Sequence, residues 1–105
     1  MQPGRFALIA AVLCTFCAVP VQAETVHVTI DKMQFMPAQV NAKVGDTIEW
    51  TNKDFVQHSA TAVDKSWDIV LPTKKSGHIV VKKAGTIDYF CKYHPNMKGK
   101  ITVAP

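Results

Sequence analysis

Arginine is almost absent from this chain: among its 105 residues it occurs once, at Arg5. Lysine carries the rest of the fixed positive charge. Without guanidinium forks to grip phosphate, and with no aromatics interleaved among basic residues, the chain does not read as a nucleic-acid binder. Beyond Arg5 there remain 11 lysines against 8 acidic residues, a mild excess of about +3. Scattered lysines of this kind keep a small sheet protein soluble and its edges unpaired, or attract an acidic partner.

Long apolar runs are scarce as well. The one that exists, Phe6 to Val19, follows Arg5 and ends at Val21-Gln22-Ala23, small residues where a signal peptidase reads. It is too short and too early for a membrane span, so residues 1–23 are expected to be a cleaved secretory leader. The remaining domain, residues 24–105, is then exported, expected in the periplasm, and without a membrane span. Cysteine is scarcer still once the leader is gone. Cys14 and Cys17 leave with it, and Cys91 stands alone. A lone thiol in an oxidising compartment has no disulfide partner in its own chain; it persists through an intermolecular bridge, burial or a metal. There are no internal repeats, no low-complexity tract and no methionine- or histidine-rich run.

What is present reads as strands. Val26, Val28 and Ile30 alternate with polar residues, as do Ile48 and Trp50. Asn41 to Asp46 reads as a turn, Asn52-Lys53-Asp54 as a break, and Pro72 to Gly77 as a loop. Further strands are expected over His58–Val63, His78–Lys82, Ile87–Cys91 and Lys100–Ala104. Only Ala62 to Trp67 has room for a helical turn. Seven to eight short strands separated by turn signals predict an all-β fold, a β-sandwich.

The chemistry gathers in Phe90-Cys91-Lys92-Tyr93-His94-Pro95-Asn96-Met97-Lys98-Gly99. Cys91, His94 and Met97 stand three apart, so one loop offers a thiolate, an imidazole and a thioether. Soft sulfur with nitrogen suits copper, and a cysteine, two histidines and a weak methionine make a blue-copper set. Pro95 stiffens the turn, and Gly99 is expected to let the chain leave it at an unusual angle. A second histidine is needed. His27 and His78 read as surface residues, whereas His58 follows the Asn52-Lys53-Asp54 break at one end of the sandwich and is the candidate fourth ligand. Thioether is a poor zinc ligand, and four protein donors leave no open position for substrate, so no enzymatic reaction is expected.

Phe35-Met36-Pro37, Gly45 to Asn52, His58, Gly85 to Cys91 and His94 to Gly99 together resemble the cupredoxins, most of all their amicyanin branch, whose loop also reads Cys-x-x-His-Pro-x-Met. The resemblance covers nearly all of residues 24–105. It implies a Greek-key sandwich with one type 1 copper at its end, His58, Cys91 and His94 as strong ligands and Met97 as the weak axial one. It also implies a monomeric electron carrier between redox partner proteins, such as a dehydrogenase and a c-type cytochrome. His94 would expose its ring edge through an apolar patch to which Pro95, Met36 and Phe55 are candidates. Two positions depart from the family pattern. Ser59 stands where an asparagine often ties the ligand loops together, and Lys92 stands where the residue after the cysteine is often small. The competing function is copper storage, delivery or resistance, against which the missing methionine and histidine tracts count.

Overall fold

The computed structural model describes residues 22–105. The expected leader lies outside them apart from its last two residues. Among the described residues nine strands form in chain order: β1 (Thr25–Asp31), β2 (Gln34–Met36), β3 (Gln39–Lys43), β4 (Thr47–Asn52), β5 (His58–Ala62), β6 (Asp68–Leu71), β7 (Ser76–Val80), β8 (Gly85–Cys91) and β9 (His94–Ala104). They make two mixed sheets, one in the order β2-β1-β4-β7 and the other β3-β9-β8-β5-β6. The β1–β4 and β3–β9 pairs are parallel and the others antiparallel. The all-β sandwich expected from the alternation is what forms.

Period-two patterning explains the layers. In β4, Ile48, Trp50 and Asn52 are buried while Thr47, Glu49 and Thr51 face outward. Val28, Ile30 and Ile48 meet Ala60, Leu71, Tyr89 and Ile101 in one core. Trp50 is fully buried at its centre and donates its Nε1–H to Tyr89 Oη at 3.2 Å. Tyr89 also packs edge-on against Phe35, with ring centroids 4.7 Å apart, and Trp67 tilts against Trp50 at 5.4 Å. Burial pushes the Tyr89 phenol up to about 12, so it stays neutral. Removing a buried ring of this size typically costs about 3–5 kcal/mol.

Several expectations change. Asn41 to Lys43 continue β3 rather than turn, because they pair with Thr102 to Ala104 of β9. The turn comes later, at Gly45, whose φ of 98° suits glycine. Asp46 closes it by accepting the Glu24 N–H at 3.0 Å and the Lys43 N–H at 2.8 Å. The segment after Ala62 is turn and bend, not helix, and leads into β6, a strand whose weak Asp68-Ile69-Val70 alternation gave no signal of its own. Gly99 serves packing rather than chain direction: a Cβ there would overlap the ring of Tyr89, its partner across β8 and β9.

Candidate metal centre

The ligand loop is tighter than its spacing suggests. Cys91 ends β8 and pairs directly with His94, which opens β9, so only Lys92 and Tyr93 lie between them. The pairing then jumps from Cys91–His94 to Phe90–Lys98. Residues 95–97 are therefore the excursion, and His94 and Met97 belong to a bulged strand rather than a free loop. Cys91 and Met97 are buried and His94 is half-buried.

His58 arrives from the other side, at the first position of β5. Asn52, itself fully buried, builds the connection. Its Nδ2 donates to Val56 O and Leu71 O, both at 2.9 Å, and its Oδ1 accepts the Asp54 N–H at 2.9 Å. Asp54 then accepts N–H groups from Lys32 at 2.8 Å and Met33 at 2.9 Å, across the β1–β2 turn. Its Oδ2 lies 2.8 Å from His58 Nε2. Partial burial pushes the Asp54 carboxyl up, but the Met33 N–H, the His58 ring and the Lys32 N–H together hold it below the usual carboxylate range. An ionised Asp54 makes Nε2 the protonated nitrogen of His58 and leaves the Nδ1 lone pair free. This carboxylate–histidine arrangement orients a ligand ring and fixes its tautomer.

Three donor atoms converge. Cys91 Sγ lies 3.7 Å from His58 Nδ1 and 3.6 Å from His94 Nδ1, and all three donor atoms lie within 4.8 Å of one another. The two imidazoles meet edge-on, with ring centroids 5.0 Å apart. The Ser59 N–H points at Cys91 Sγ from 3.4 Å. Cys91 is fully buried and is a free cysteine among the described residues. Two imidazole nitrogens and a thiol gathered at one point fit a soft or borderline metal ion such as copper.

Ser59 and Lys92 do more than their residue types suggest. Lys92 donates its backbone N–H to Ser59 Oγ at 2.8 Å. Ser59 Oγ lies 2.8 Å from Thr61 Oγ1, which donates to Asp68 Oδ1 at 2.8 Å. Because Thr61 gives its proton to Asp68, Ser59 gives its own to Thr61 and keeps lone pairs for Lys92. Lys92 Nζ closes the ring on Asp68 Oδ2 at 2.9 Å. The Lys92 and Thr61 contacts hold Asp68 below the usual carboxylate range, and Asp68 in turn raises the Lys92 ammonium. The hydroxyl of Ser59 thus ties the two ligand segments in place of an asparagine, and the Lys92 charge is paired rather than free.

Sequence reasoning missed Asp54, read there as part of a strand break, and Asp68 with Thr61. The one signal was spacing: an Asp four residues before His58, behind an Asn able to hold the connection. His27 and His78 are exposed, as expected. Phe55 is 85% exposed and Met36 40%, so both are surface residues rather than core, and Pro95 is exposed as well.

Comparison with known proteins shows the family. The family described as the cupredoxin-like domain matches residues 4–103. The chain is 33% identical over 92 residues to an amicyanin of Paracoccus versutus, covering 82% of this chain and 70% of that protein. The crystal structure of amicyanin from that organism superposes with a TM-score of 0.67 over 81% of this chain and 84% of the other. An amicyanin-alpha of Methylorubrum extorquens is 36% identical over 89 residues, 77% of this chain and 73% of that one. A solved Cu(I) form of an amicyanin variant, 30% identical, covers 79% and 85% of the two chains with a TM-score of 0.66. The chain therefore belongs to the cupredoxin-like family and, within it, is a small cupredoxin similar to the amicyanins.

Proposed function

We propose that this protein is an exported blue-copper electron carrier, working in the periplasm once residues 1–23 are removed. His58 Nδ1, Cys91 Sγ and His94 Nδ1 would be the strong ligands and Met97 the weak one. The observation that carries this reading is the convergence of these three donor atoms on one end of a sandwich, with His58 held by Asp54 and the Cys91 sulfur met by the Ser59 N–H. A bound copper ion supplies a Cu(I)/Cu(II) couple and hence a single electron.

The chain's residues do the rest. Asp54 holds the His58 ring in one tautomer. The Ser59 N–H stabilises negative charge on sulfur, and the Ser59–Lys92 bond fixes the separation of the two ligand segments. Scaffold rigidity of this kind keeps the donor geometry nearly constant between oxidation states. Four protein donors leave no position for a substrate, so the protein transfers electrons rather than catalysing a reaction. His94, the half-buried ligand, is the exit. Exposed Pro95, next to His94, and exposed Phe55, next to Asp54, offer apolar side chains to a redox partner protein, such as a dehydrogenase or a c-type cytochrome.

Visible and EPR spectroscopy of the copper-loaded protein tests this directly. Oxidised protein is expected to be blue, to bleach on reduction and to cycle reversibly. A colourless copper form, or one that gives up Cu(I) to an acceptor protein and does not cycle, would move the assignment to copper storage or delivery.

A further inference from the structure

The outer face of the β2-β1-β4-β7 sheet carries a row of side chains that electron transfer does not use. In the register of three adjacent strands, His27 of β1 lies opposite Glu49 of β4, and Glu49 lies opposite His78 of β7. Directly paired residues put their side chains on the same face of a sheet. Ile48 and Trp50 of β4 are buried, so Glu49 and both of its partners point outward. Two imidazoles therefore flank one carboxylate, although the three residues are more than twenty positions apart in sequence from one to the next.

Half of the row is already assembled. His27 Nδ1 lies 3.0 Å from Glu49 Oε1, and the two side chains are 70% and 37% exposed. The other half is a matter of reach. Neighbouring strands are about 4.8 Å apart, which places the His27 and His78 backbones about 10 Å apart with Glu49 midway. Among the described residues only His58, Cys91 and His94 already hold their donor atoms within 4.8 Å of one another, so the exposed His78 side chain has to swing inward over the carboxylate before a metal with bonds of roughly 2.0–2.1 Å to nitrogen and oxygen bridges the row. The rows on either side leave room and carry no ammonium. One is Thr25, Thr47 and Val80; the other is Thr29, Thr51 and Ser76. Glu49 therefore has no lysine beside it in the register to compete with a cation.

We propose that His27, Glu49 and His78 form a second metal site, an open surface seat for a borderline divalent cation. Two histidines and a glutamate are a donor set that suits zinc, with solvent filling the remaining positions. The site is separate from the buried centre, whose donors lie on β5, β8 and β9 of the other sheet. Its donors are exposed, so it would exchange its ion readily, whereas the buried thiolate centre is built to hold one. No histidine-rich tract is needed, because the strand register gathers what the sequence disperses. This inference does not depend on the copper reading.

Zn(II) titration by calorimetry tests it, performed on the Cu(I)-loaded protein and on a Cys91→Ala variant that lacks the buried thiolate. One saturable equivalent of Zn(II) is expected in both. His27→Ala and His78→Ala are each expected to weaken it by roughly tenfold or more, at least what losing a ligand's supporting partner costs. Both residues are exposed, so neither substitution threatens the fold. Absence of a saturable equivalent in the Cu(I)-loaded protein would overturn the proposal. So would an equivalent indifferent to His78→Ala, which would reduce the row to a simple His27–Glu49 ion pair. If copper fails to load at all, the electron-carrier reading is lost, while His27→Ala and His78→Ala made in the Cys91→Ala background still decide the surface site.

Discussion

Two histidine–carboxylate contacts sit on opposite sheets of this sandwich. His58 meets Asp54 at 2.8 Å with the two side chains 0% and 14% exposed; His27 meets Glu49 at 3.0 Å with them 70% and 37% exposed. The distances are nearly equal, and the consequences are not. An exposed pair is worth about 0–1 kcal/mol, because water and salt compete for both partners. In the buried pair, water is excluded and Asp54 is fixed by two backbone N–H groups, so the contact dictates which nitrogen of His58 faces the sulfur. Burial converts a surface ion pair into a device that selects a tautomer.

The comparison breaks first at the sulfur. If the buried pair exists to aim Nδ1 at a thiolate-bound metal, Cys91→Ala is expected to abolish the blue absorption completely, since no second thiol is available among the described residues. Retention of the same visible spectrum would dissolve the distinction between the two pairs. Next, Asp54→Ala leaves a buried imidazole donor unsatisfied. It is expected to destabilise the metal-free protein by about 1–3 kcal/mol in chemical denaturation and to weaken metal binding by roughly 10–100-fold. Glu49→Ala, the matching change at the exposed pair, is expected to stay within about 0.5 kcal/mol of the parent. Equal losses from the two variants would mean that burial does not matter here.

Ser59→Ala removes the acceptor of the Lys92 N–H and is expected to cost about 1 kcal/mol. Amide exchange at Lys92 reads the loosened segment, and restoration of protection by Ser59→Thr would confirm that the hydroxyl is responsible. A smaller effect is expected in acid. Asp46 is held below the usual carboxylate range by the Glu24 and Lys43 N–H groups, and Asp54 is held low as well. A carboxyl whose folded pKa is depressed binds fewer protons folded than unfolded. Its contribution is therefore complete above the unfolded value, near 3.9, and disappears as pH falls through the lower folded value. Denaturation followed by tryptophan fluorescence across this acid range is expected to show Asp46→Asn losing stability less steeply with falling pH than the parent.

Much of this was legible in the sequence, and the reasons are local. Alternation in Val26-His27-Val28 and Ile48-Glu49-Trp50 marks half-buried strands because side chains alternate faces by covalent geometry. The three-residue spacing of Cys91, His94 and Met97 places soft donors on one hairpin whatever lies around it. Strand β6 was not legible, because its Asp68-Ile69-Val70-Leu71 segment draws its order from pairing with β5 rather than from a pattern of its own. Gly99 was misread for a similar reason. Its constraint is the Tyr89 ring across the sheet, which nothing near Gly99 announces.

The sequence by itself determined the strands with clear alternation, the donor types and the hairpin that carries three of them. Only the tertiary structure decided which histidine faces the sulfur, and with which nitrogen. It also decided that Ser59 reaches Lys92, that Asp68 pairs the Lys92 charge, and that His27, Glu49 and His78 share a row. Each of these depends on strand register and on exclusion of water, and both are properties of residues distant in sequence. A hydrogen bond or a ligand set is a relation between positions in space, and the chain specifies those positions only once it has packed.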